Sequence, residues 1–327
     1  MKLFKGARVL VVAAVVAAQS VGFASQEAFP SKPIRVVVPF APGGGADVIA
    51  RMVGDKLGTA WGQPIVVDNK PGAGTLIGAS AVATAPADGY TMLAATADTL
   101  AVAAALQAKP ITLPEKTLAP LTQIVRTPLF IAVRPDSPYK TLADFVDAAR
   151  KNPGGLSYGS AGIGTIHHMA MELFDSQARI EVKHVAYRGS GPAVADLMAG
   201  VVDVAMIDSP VVLPQIKGGK LRVLAVSTPN RAAVAPDVPT IAEQGYPGFS
   251  AMSWMGFAVP RGTPAAVTEK LFAGIRDAIE NPDVAQRLRA MGLEPVTSKS
   301  PADFEHFAEG ERVRWTEVIK AKNIHID

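Results

Sequence analysis

Three glycine-rich turns carry the clearest chemical potential in this chain: Gly43-Gly44-Gly45, Gly72-Ala73-Gly74 and Gly162-Ile163-Gly164-Thr165. The first two follow β-branched runs and open Ala-rich stretches, and all three sit between a candidate strand and the start of a helix. Glycine there lets the backbone come close to a guest, and the free N–H groups and dipole of the helix favour an anion. A small carboxylate or phosphate is the implied guest. The plainer reading, in which the glycines only make tight turns, weakens when three such turns fall on the same expected sheet edge.

Other chemistries fit less well. Gly72-Ala73-Gly74-Thr75-Leu76-Ile77-Gly78 comes near a dinucleotide fingerprint, but its spacing is GxGxxxG, and no turn ends in the Lys-Ser/Thr pair of a phosphate-binding Walker loop. GxSxG is absent, so Ser160 and Ser190 lack the elbow that exposes a nucleophile. His167 and His168 are adjacent, with Glu172 four residues beyond His168, yet no third metal ligand stands nearby, so no metal site is expected. The pair reads as one buried, hydrogen-bonded imidazole beside one exposed one. Asp47, in the first turn of its helix, suits a dipole partner as well as a ligand contact. Asp208 ends an apolar strand before Ser209-Pro210, as a helix cap or a cleft-edge group, with its position favouring the cleft.

The elements that hold these residues repeat one pattern of strand, turn and helix. The first set comprises Ile34–Phe40 with a helix to about Leu57, Ile65–Asp68 with a helical stretch from Leu76 to Ala85, and Tyr90–Ala95 with a helix through Leu106. Such alternation predicts a parallel sheet covered on both faces. Leu121–Arg134 is extended, interrupted by Pro128, and is followed by a fresh set running from LSYGSAG to LRVLAVS. A second long apolar stretch, Ser253–Pro260, returns the chain, and a helical tail follows with Pro264 at a helix start. Two α/β lobes joined by two crossing strands, with a cleft between them, are therefore expected: 1–24 a leader, 25–132 plus 256–327 lobe 1, and 133–255 lobe 2.

Composition narrows the setting. With 49% hydrophobic, 19% charged and 6% aromatic residues, the chain is globular, and 327 residues suggest two domains. The net charge of +3 comes from Lys2, Lys5 and Arg8 in the first eight residues, so the remainder is neutral and has no footprint for nucleic acid. Cysteine is absent, which excludes disulfides, thiolate chemistry and a lipidated anchor. The cationic start, the apolar run Val9–Ala18 and the small residues Gly22 and Ala24 have the order of a secretory signal peptide cleaved after Ala24. An uncleaved anchor would span only ~15 Å of a ~30 Å hydrocarbon core. Export without cysteine points to a bacterial periplasm.

Taken together, PSKPIRVVVPFAPGGGADVIAR, VVDNKPGAGTLIG, GSAGIGTIHHMAMELF, YRGSGPAVADLMAGVVDVAMID, GKLRVLAVS, PDVPTIAEQGYPG and WMGFAVPRGTP resemble the substrate-binding proteins of tripartite tricarboxylate transporters, the Bug receptors, over nearly the whole mature chain. The resemblance implies a periplasmic, non-enzymatic, monomeric receptor of the type II binding-protein fold. It would need no cofactor, close on a small organic acid or amino acid, and deliver it to membrane transporter subunits. By position it implies ligand contacts at Phe40, Ala41, Gly43, Gly44, Ala46 and Asp47 in the first turn, with Thr96 beside them. In the second lobe it implies Ser160, Gly164, Thr165, His168, Tyr187 and Asp208. Two departures stand out: Thr75 where the family often has a further Gly, and a stretch after Asp208 whose Pro210 and Pro214 are spaced differently. An exported hydrolase or oxidoreductase using the same cleft, with His168, Asp47 or Asp208 as its base, is the alternative from another class. A receptor serving a sensor is a third.

Overall fold

The fold is taken from a computed structural model that describes residues 29–106 and 114–322, so the expected leader lies outside the described residues. The chain divides into Met1–Ser31 and Lys32–Asp327, and the architecture below is that of the second unit. Its strands run in the order β2-β1-β3-β9-β4-β7-β5-β6. β1 (Ile34–Val38) pairs in parallel with β2 (Ile65–Asn69) and β3 (Thr91–Thr96), because helices α1 (Gly45–Trp61) and α2 (Leu76–Ala83) make the crossovers. β5 (Ser157–Ser160) pairs in parallel with β6 (Lys183–Ala186) and β7 (Val204–Asp208) in the same way, around α4 (Ile166–Ala178) and α5 (Ser190–Ala199). Between α2 and α4 in chain order lies α3 (Leu142–Lys151).

The expected parallel sheet therefore holds within each half but not at their junction. β4 (Leu118–Val133) is antiparallel to β9 (Met252–Pro260) and to β7 and β8 (Arg222–Val226), since the chain leaves along β4 and returns along β9. The partner of β4 changes from Met252, opposite Pro128, to Asp208, opposite Leu129. Pro128 has no N–H to give the ladder, so pairing changes where proline already interrupts it. Beyond that point side-chain alternation feeds two cores: Leu129, Ile131 and Val133 enter one cluster, with Met169 and Phe174. Phe130 and Ala132 enter the other, with Val194, Leu197 and Ile207. Two α/β lobes with a cleft, joined by crossing strands, result.

The helices follow local signals. α1 ends where Gly62 takes a left-handed conformation, φ 63°. α3 starts in a capping box, with the Thr141 hydroxyl accepting from Asp144 N and the Asp144 carboxylate accepting from Thr141 N. α6 (Ser209–Lys217) follows β7 directly. α7 (Ala265–Glu280), α8 (Pro282–Ala290) and α9 (Pro301–Lys322) follow β9, with Pro264 as the N-cap of α7. Among the described residues no helix is long and apolar enough to cross a membrane.

Candidate functional site

Four strands end at one place. The chain turns from β1 through Phe40 into α1, from β3 through Thr96 to Asp98, from β5 through Ser160 into α4, and from β7 through Asp208 into α6. These carboxyl ends face each other around a narrow cavity of about 30 Å³. Its walls include Phe40, Gly44, Gly45, Ala46 and Thr96 from the first lobe, and His167, Ser190 and Asp208 from the second. Ser253, Trp254 and Met255 of β9 line it beside Thr127 of β4.

The lobes touch through a reciprocal arrangement of carboxylates. Asp98, at the end of β3, accepts from the backbone N–H of Ile166, the first residue of α4 in the other lobe. Asp208, at the end of β7, lies against Gly45, the first residue of α1, so closely that a Cβ there would collide with Oδ2. Each lobe thus sets a carboxylate at the positive end of a helix from its neighbour. Ala41 N–H donates to the Arg188 carbonyl across the same gap at 2.8 Å. Burial pushes the Asp98 carboxyl above its ordinary range, against His167 and its hydrogen bonds to Ile166 and Thr96. For Asp208 the burial cost is outweighed by His167 and Ser190, which hold the group below its ordinary range.

Ser190, His167 and Asp208 bring a hydroxyl, an imidazole and a carboxylate together, but not as a nucleophilic triad. His167 Nε2 is 3.2 Å from Asp208 Oδ1 and 3.5 Å from Ser190 Oγ, so one ring nitrogen serves both partners. The Ser190 hydroxyl donates directly to Asp208, and His167 Nδ1 is buried without a partner. A triad needs the carboxylate on one ring nitrogen and the hydroxyl on the other. No group of three metal-ligating side chains occurs among the described residues.

The remaining expected site residues separate into three places. Phe40 also lines a second cavity of about 460 Å³, with Thr165, Tyr187, Arg188 and the loop Gly72–Thr75. Gly43 and Asp47 form a support behind the first turn: Asp47 is buried and accepts from Gly43 N at 3.0 Å, from Arg51 and from Asn69. Those contacts outweigh the cost of burial and hold its carboxyl below the ordinary range. Ser160, Gly164 and His168 form a comparable support behind the second turn. Gly164 N donates to His168 Nδ1 at 3.2 Å, His168 stacks on His184 with ring centroids 4.1 Å apart, and Ser160 Oγ meets His184 Nε2 at 2.7 Å. Burial, with His184 alongside, pulls the His168 pKa down to about 3.

Reading His167 and His168 as one buried and one exposed ring is corrected, since each is only 5% exposed. His167 replaces His168 as the imidazole on the cavity wall because α4 begins at Ile166, which turns the earlier histidine to the cleft. Asp98, His167 and Ser190 went unidentified as wall residues. A signal for Asp98 was present: it follows its strand just before a helical turn, much as Asp208 does.

The sequence model of the tripartite tricarboxylate transporter family receptor matches residues 49–324. The chain belongs to that receptor family. A Pseudomonas sp. relative, the UPF0065 protein in the tcbD-tcbE intergenic region, is 41% identical over 295 residues, covering 90% of this receptor and 87% of the relative. BugT of Bordetella pertussis is 35% identical over 300 residues, covering 90% and 91% of the two chains. A solved R. palustris protein with adipate is 34% identical with a TM-score of 0.88, over 91% of this receptor and 99% of that chain. The Bug resemblance and the two-lobed binding-protein fold expected from the sequence are thereby borne out.

Proposed function

We propose that this receptor works in the periplasm, where it captures a small carboxylated organic acid between its lobes and presents it to the membrane subunits of a tripartite transporter. The observation that carries the reading is the cavity at the meeting of four strand ends, closed by helix N-termini from both lobes. Phe40, Gly44, Ala46, Thr96 and Asp208 are the contacts supported by the cavity wall, and Ser190 joins them. Gly43, Asp47, Ser160, Gly164 and His168 act behind them by holding the turns. Lobe boundaries near 132 and 255 put the hinge within a few residues of the change in β4 pairing. The adipate complex of the R. palustris relative supports a carboxylate as the solute class.

The test is thermal unfolding of ligand-stripped mature protein against a panel of organic acids and amino acids. A solute at a hundredfold its dissociation constant adds ~2.7 kcal/mol to stability, several degrees in midpoint for a protein of this size. A shift with one acid that is recovered unchanged establishes capture without turnover. No shift with any carboxylate overturns the reading.

A further inference from the structure

The strands that join the two halves have a second face. Thr127 of β4 and its partner Ser253 of β9 line the cleft, whereas the next pair, Pro128 and Met252, lines a third cavity on the opposite side, as alternation along a strand requires. That cavity holds about 510 Å³, within the roughly 300–1,000 Å³ of small-molecule sites. One wall is residues 228–234, which follow β8, and the other is the end of α8 with β10 (Glu294–Pro295), which pairs with β4. The second wall is fixed in place by Gly292, where a Cβ would come within 2.8 Å of the Ser209 Cβ on α6. The Ser209 hydroxyl also donates to the Gly292 carbonyl at 3.1 Å.

Positive charge and apolar surface are combined in this cavity. Arg126, Arg231 and Arg289 line it. Arg231 Nε donates to both carboxylate oxygens of Glu243, and Arg126 lies 3.6 Å from Glu294 and over the Phe307 ring. Arg289 has no ion-pair or hydrogen-bond partner among the described residues, so two carboxylates stand against three guanidinium groups and one positive charge is left over. Arg287 and Arg289 share the last turn of α8, where either suits the helix dipole, but only Arg289 reaches the cavity. Val234, Met252, Leu293 and Pro295 give the cavity apolar walls. A small monoanion with an apolar body matches both features, because the guanidinium fork fits a carboxylate and the walls gain by covering hydrocarbon. We infer that the back of the junction strands holds a second ligand site, formed by Arg289 with Arg126 and these apolar walls, for a small apolar monocarboxylate. It is separate from the cleft and stands whatever solute the cleft binds.

Hexanoate is the probe, with hexanamide as its uncharged counterpart and inorganic phosphate as an anion without an apolar body. In titration calorimetry on the mature protein, hexanoate is expected to bind about tenfold tighter than either control, or better. Two variants locate it: Arg289→Glu reverses the unpaired charge, and Ala233→Trp fills the cavity from its other wall. Both positions are exposed, so native circular dichroism is expected to survive, and each variant is expected to weaken hexanoate about tenfold or more. Wild-type affinity in either folded variant overturns the site, since hexanoate then sits elsewhere, the cleft included. No binding of hexanoate to the wild type overturns it as well. Hexanamide or phosphate binding as tightly as hexanoate overturns the ligand class.

Discussion

At the scale of single residues, Gly45 and Asp208 set how closely the lobes approach. A methyl group on Gly45 would occupy the space of the Asp208 carboxylate, so Gly45→Ala is expected to hold the cleft apart and weaken solute binding by about tenfold, ~1.4 kcal/mol, measured by calorimetry. Unchanged affinity would show that this contact is not needed for closure. The stacked histidines make a second prediction, about acid. Burial lowers His168 from 6.5 to about 3 and His184 from 6.5 to about 4, so both rings stay neutral in the folded protein at mild acidity. Between those values and 6.5 the unfolded chain binds protons that the folded chain refuses. Stability is therefore full above the ordinary histidine value and falls as pH drops toward 4, by up to ~1.4 kcal/mol per pH unit for each ring. Urea titrations at pH 7, 6 and 5 read the slope, and His184→Asn should make it shallower.

At the scale of elements, two threonine caps separate stability from binding. Thr141 closes a capping box on α3, with Asp144 N donating to its hydroxyl at 3.1 Å. Thr165 caps α4, and its hydroxyl also donates to the Gly162 carbonyl at 2.7 Å, holding the second turn. Replacing either by alanine is expected to cost ~1 kcal/mol in denaturant stability. Thr165→Ala should weaken solute binding as well, whereas Thr141→Ala should leave it unchanged. Equal affinities in the two variants would remove the second turn from the site. The strand-turn-helix units that carry both caps were legible from β-branched runs followed by glycine. α3 was not read in advance, although Thr141 and Asp144 stand at the spacing of its capping box.

For the whole molecule, the described arrangement has the lobes in contact, through Ala41 with Arg188 and Asp98 with Ile166. A solute drives a receptor into such a form only through contacts made better there than in the open form. Small-angle scattering is expected to show the radius of gyration falling on saturation with solute, toward the dimensions of this closed arrangement. A radius that is already closed without solute and unchanged with it would mean that binding selects nothing at this scale. If the lobes move, β4 and β9 are where the chain must bend, with Pro128 interrupting the ladder where the partner of β4 changes.

Most strands and helices, the glycine turns at strand ends and the receptor family were written in local patterns: β-branched runs, glycine-rich turns and long ordered motifs. Those patterns act over a few residues, so a linear reading can recover them. The wall of the cavity was not local. Asp98 and Ile166 are 68 residues apart and meet only when two lobes close, and His167 and Asp208 are 41 apart. Which of two adjacent histidines faces the cleft depends on where α4 starts, and whether Asp47 or Asp208 reaches the cavity depends on which side of a turn it folds to. Sequence determined what kind of molecule this is; only the packing of one lobe on the other decided which side chains a solute would meet.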